Sequence, residues 1–105
     1  MRVLFLVLII FPVLAFADDL EHRLTLRDHR FEPAEVRVPA GKKIKLVIDN
    51  QDNLAEEFDS HALNREKVIA PKSTGTVYIG PLSPGRYPFM GEFHPDTAKG
   101  MVIAE

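Results

Sequence analysis

The chain is 105 residues long, with 13 Lys and Arg against 15 Asp and Glu, a formal net charge of −2 at pH 7, and no cysteine. A chain of this length holds one small domain. Its mixed charge offers no basic face for nucleic acid, and the missing cysteine excludes disulfides and a cysteine nucleophile.

The N-terminus reads as an address. Arg2 precedes an apolar run from Val3 to Leu14, and Ala15-Phe16-Ala17 follows. The run is shorter than the ~20 residues that a membrane span needs. A positive start, a short apolar stretch and small residues at the A-x-A positions predict a secretory signal peptide cleaved after Ala17. Residues 1–17 are then removed and residues 18–105 fold; an uncleaved anchor is the alternative.

From Arg23 the chain alternates, with Leu24 and Leu26 on one side and Arg23, Thr25 and Arg27 on the other, which is the period of a strand. Asp28-His29-Arg30 is polar and Phe31-Glu32-Pro33 turns the chain. Glu35-Val36-Arg37-Val38 predicts a second strand, and Pro39-Ala40-Gly41-Lys42 a turn. The third strand runs over 43–50, with Ile44, Leu46, Ile48 and Asn50 sharing one face. The stretch 51–64 is ambiguous: Leu54 to Phe58 suits a helical turn capped by Asp52 or Asn53, or a loop before a short strand at Glu57–Ser60.

Strands are predicted over 66–69 and 76–79, separated by the turn formers at 70–75. Gly80-Pro81-Leu82-Ser83-Pro84-Gly85 is a break. A strand then climbs to His94, and an apolar strand from Gly100 ends the chain. About seven short strands with frequent turn signals predict an all-β, two-sheet sandwich. Leu24, Val36, Ile44, Leu46, Val77, Phe89 and Val102 are its expected core.

Candidate ligands gather in the last hairpin. His94 follows a strand end, where an imidazole suits copper, zinc or iron. Met90 and Met101 flank it with thioethers, which favour copper but also fill cores. Glu92 shares strand parity with Met90. Glu57 follows the loop after Asn50, which a sandwich brings toward the last hairpin, and Glu56 beside it would point the other way. A solvated role is the plain alternative for each acid. No ligand spacing links His22, His29 and His61. Phosphate-binding glycine loops, G-x-S-x-G and H-E-x-x-H are absent.

At these residues the chain resembles the cupredoxins. The likeness rests on Phe31-x-Pro33 with Val36-x-Val38-Pro39-Ala40-Gly41, on Asn50-x-Asp52 leading to Glu57-Phe58, and on Pro84-Gly85-x-Tyr87-x-Phe89-x-Gly91-x-x-His94. It implies a Greek-key β-sandwich. Gly91 stands where blue-copper proteins carry the ligand cysteine, and Glu57 where they carry the first histidine. Met101 lies seven residues after His94, whereas the family's axial methionine follows its histidine by three to five. A blue site needs two histidines and a thiolate, so a non-blue site is expected.

The segments 57–60, 65–69 and 91–95 resemble the periplasmic cupredoxin-like subunit of bacterial ferrous-iron uptake systems. That resemblance implies a periplasmic protein holding copper or iron, with Glu57 and His94 as leading ligands and Met90, Glu92 or Met101 completing the shell. It implies an inner-membrane iron permease or another periplasmic iron-uptake subunit as partner, and a role assisting ferrous oxidation. A scaffold that kept the sandwich and lost the metal, and a Cu(I) carrier using Met90, Met101 and His94, are the other readings.

Overall fold

The computed structural model describes residues 3–9 and 20–105, so the cleavage point after Ala17 lies outside the described residues. Nine strands follow in order: β1 (Glu21–Arg27), β2 (Arg30–Glu32), β3 (Glu35–Val38), β4 (Ile44–Asn50), β5 (Glu56–Ser60), β6 (Arg65–Ile69), β7 (Ser73–Ile79), β8 (Gly85–Gly91) and β9 (Lys99–Ala104). They form two sheets, ordered β2-β1-β4-β7 and β3-β9-β8-β5-β6. The pairs β1–β4 and β3–β9 are parallel and the others antiparallel. Among the described residues there is no helix.

This is the all-β sandwich that the alternation predicts. The strands beyond the expected seven are β2, whose three residues are too short to show a period, and β5, which settles the ambiguous stretch as strand. Residues 30–32 therefore pair with β1 instead of only turning the chain. Strand β8 stops at Gly91, so residues 92–94 are turn and not strand.

The alternating positions meet between the sheets. Leu24, Leu26, Ile44, Leu46, Ile48, Val77 and Ile79 come from one sheet; Val36, Val38, Phe58, Ile69, Phe89, Val102 and Ala104 come from the other. All seven residues expected in the core are buried. Phe31, Phe58 and Phe89 join the layers, with ring centroids 5.0–6.4 Å apart in edge and stacked contacts. Gly100 makes room for them, because a Cβ there would lie 2.1 Å from the Phe89 ring. Cutting one such ring to alanine typically costs about 3–5 kcal/mol. The wedge stops where β5 begins and β8 ends, and the candidate ligands sit on that end.

Candidate metal centre

Parity decides which side chains reach the interior. On β5, Glu56 shares a face with buried Phe58; on β8, Gly91 shares a face with buried Phe89, and Phe58 pairs with Gly91 across the strands. Glu56 is therefore driven inward and is 1% exposed. A buried carboxylate is costly unless hydrogen-bonded. Here Oε1 accepts the backbone N–H of Phe93 at 2.8 Å and of Glu57 at 3.1 Å, and Oε2 accepts Nδ1–H of His94 at 2.6 Å. The room for this carboxylate comes from Gly91: a Cβ there would meet Glu56 Cδ and Ala98 Cβ, each at 2.6 Å.

The loop after β8 fixes His94. Its amide donates to Gly91 O, and its carbonyl accepts the amide of Ala98. His29 arrives from the opposite sheet. Arg27 pairs with Arg30, so Asp28 and His29 form a two-residue hairpin turn, with φ of 53° and 56°. Such turns need positive φ at both positions, for which glycine is the usual second residue. The His29 ring stacks on His94, with centroids 3.6 Å apart and planes 14° from parallel.

Two polar residues set that turn against the β5 end. Asn50 is fully buried, donates to the carbonyls of Leu54, Ile69 and Ala70, and accepts the Asp52 amide. Asp52 then accepts the amides of Asp28 at 2.8 Å and His29 at 3.0 Å. Burial pushes the Asp52 carboxyl up. The two amides and the charges of His29 and Lys72 together outweigh burial and hold it below the usual aspartate value.

His29, Glu56 and His94 each offer a ligand atom within 4.8 Å of the others. Two imidazoles and one carboxylate suit borderline divalent ions such as copper, zinc and iron, so the residues fit a metal. They do not supply the thiolate of a blue site. An imidazole lone pair lies in its ring plane, and one ion cannot lie in both planes of a parallel stack. Loading therefore requires a ring to turn, and His94 is the one held by Glu56. The proton between Glu56 and His94 must also leave when an ion takes its place.

Among the residues singled out in the sequence, His94 is in this cluster. Glu57 follows Glu56 on the strand and so faces the other way, toward the outer surface of the sheet. Met90, 40% exposed, pairs with Asp59 on that outer face. Met101 is half-buried and alternates with core residue Val102, which puts it on the outer side too. Glu92 is exposed. A hydrogen bond to Asp59 raises its carboxyl above the ordinary value, followed by the charge of Asp59, slight desolvation, and the charges of Glu57 and Glu66.

Glu56 and His29 escaped the sequence reading. Counting parity back from Phe58 would have found Glu56. No local pattern marks His29, which reaches His94 only through the pairing of distant strands.

The description of the cupredoxin-like domain matches residues 1–104. An uncharacterized protein of Rickettsia prowazekii (strain Madrid E) is 46% identical over 84 residues, covering 80% of this chain and 67% of that one. Auracyanin A, a "blue" copper protein from Chloroflexus aurantiacus, superposes with a TM-score of 0.71 at 12% identity, covering 81% of this chain and 98% of that one. The metal-binding domain of the Cu(I)-exporting P-type ATPase CopA of Streptococcus pneumoniae D39, solved with Cu(I), superposes at 0.65 and 15% identity, covering 81% and 84%. At such identities the two structures speak for the fold alone, but with the match along nearly the whole sequence they agree that this chain belongs to the cupredoxin-like domain family.

Proposed function

We propose that this chain is a periplasmic metal-binding protein that holds copper or iron on His29, Glu56 and His94 and serves ferrous-iron uptake. The observation that carries it is the convergence of two imidazoles and a buried carboxylate, from both sheets, within 4.8 Å. Two histidines and a carboxylate with open positions form a donor set used by non-haem Fe(II), and the same donors bind Cu(II). The relatives of similar fold named above are copper proteins, which supports the copper branch. The resemblance at 57–60, 65–69 and 91–95 supports the iron branch, with an inner-membrane iron permease or another periplasmic subunit as partner. The signal-peptide pattern at residues 1–17 supports export. Met90 and Met101 lie on the outer face, so a Cu(I) carrier would find no thioether at this cluster.

One observation favours a second reading, a docking scaffold without metal. The Glu56–His94 hydrogen bond and the histidine stack leave the metal-free site internally satisfied. Calorimetric titration of the purified protein with Cu(II), and anaerobically with Fe(II), separates the two. One site per chain is expected, lost in Glu56→Gln and His94→Ala and kept in Glu57→Gln. No binding of either ion above background would overturn metal binding in favour of the scaffold.

A further inference from the structure

We propose that Asp52 is a positioning residue for this centre: its carboxylate clamps the Asp28–His29 turn and so delivers His29 to Glu56 and His94. The proposal rests on the metal-binding reading above. Three observations carry it.

First, His29 occupies a position that disfavours it. Both turn residues have positive φ, and neither is glycine. A non-glycine residue there is strained and persists only when its surroundings hold it. Second, Asp52 is what holds it. One carboxylate oxygen accepts the Asp28 amide and the other the His29 amide, so both N–H groups of the turn end on a single side chain. The same Oδ2 lies 3.5 Å from Nδ1 of His29. Third, Asp52 is itself anchored. Its amide donates to the side chain of buried Asn50, and its carbonyl accepts the amide of Lys72.

Asp52 thus bridges the rigid end of β4 to a turn of the neighbouring hairpin. It fixes the backbone from which the His29 side chain hangs. Carboxylates beside a ligating histidine commonly orient it, and their loss lowers metal affinity by about 10- to 100-fold. Asp52 is not among the three residues that offer a ligand atom. It acts through His29.

A double-mutant cycle tests this, with Cu(II) as the probe and the purified protein as it stands. Asp52→Ala should lower Cu(II) affinity by about 10- to 100-fold, and Asp52→Asn, which keeps one oxygen acceptor, by less. In a His29→Ala background neither substitution should lower it further. The electron paramagnetic resonance spectrum adds a readout that a merely structural role would not move. Asp52→Ala and His29→Ala should each reduce the nitrogen couplings on Cu(II) from two to one. In the metal-free protein, Asp52→Ala should abolish the ring-current shift of His29 while strand amide resonances stay in place.

Full affinity with two coupled nitrogens in either Asp52 variant would overturn the proposal. So would an equal loss with and without His29. A His29→Ala variant that itself binds Cu(II) normally would instead remove His29 from the ligand set, and the metal-binding reading would then stand on Glu56 and His94 alone with Asp52 excluded. If Asp52→Ala does not fold, the Asp52→Asn arm of the cycle decides.

Discussion

The two faces of strands β5 and β8 carry the same kinds of residue to opposite effect. Inward, Glu56 is buried and each of its oxygens is met by a donor. Outward, Glu57, Asp59, Glu66 and Glu92 crowd one surface, where a hydrogen bond to Asp59 and then the charges of its neighbours raise the Glu92 carboxyl. A single step along β5 separates the two. Carboxylates alone do not make a site. What separates the inner one is a fixed set of donors, a low-dielectric setting and two imidazoles within reach.

The widest gap between the faces should appear on deleting one acid from each. Glu56→Ala leaves two amide N–H groups and the His94 imidazole without their acceptor. We expect a loss of about 2–3 kcal/mol in urea unfolding and no metal binding. Glu57→Ala should stay within about 0.5 kcal/mol of the parent and bind normally. Equal effects would erase the distinction.

A smaller effect should come from filling the space beside Glu56. Gly91→Cys places a Cβ 2.6 Å from both Glu56 Cδ and Ala98 Cβ. Overpacking of this kind costs about 1–3 kcal/mol, and the variant should show only weak colour with Cu(II) while Glu56 still supplies a hard oxygen beside the two imidazoles. Gly91→Cys with Glu56→His removes the hard carboxylate and sets a thiolate beside the imidazoles of His29, His94 and position 56, which an intense visible band would report. Gly91→Cys with Glu57→His should stay pale, since position 57 faces outward. A strong band from that second pair would reverse the assignment of faces.

The smallest effect belongs to the outer face. Because the Glu92 carboxyl is raised in the folded protein, its ionisation opposes folding. The associated stability is full below the unfolded value of 4.5 and is lost as pH rises through the raised folded value. Glu92→Gln should therefore raise the melting temperature slightly at pH 7 and leave it unchanged near pH 3. A lowered melting temperature at pH 7 would mean that the acidic surface is not under repulsion.

The sandwich was legible because alternation is local: Leu24, Ile44, Leu46 and Val77 announce their own faces. The site was legible only in part. His94 declared itself by following a strand end beside a proline. Glu56 did not, because a glutamate on the inward parity contradicts the pattern that reveals cores, and its outward neighbour looked equally suitable. His29 was hidden by a turn that lacks the glycine marking such turns. Its contact with His94 depends on how two sheets stack, which no short window of sequence contains.

The three candidate ligands come from the β1–β2 turn, the start of β5 and the loop before β9, so they belong to both sheets and to nearly the full length of the domain. Neither sheet supplies all three residues by itself. An ion bound here would bind the native state and not the unfolded chain, and would add its binding free energy to folding. It would also act as a cross-link between the layers at their open end. Partly folded or truncated chains would go unloaded, so metal content would count correctly assembled molecules.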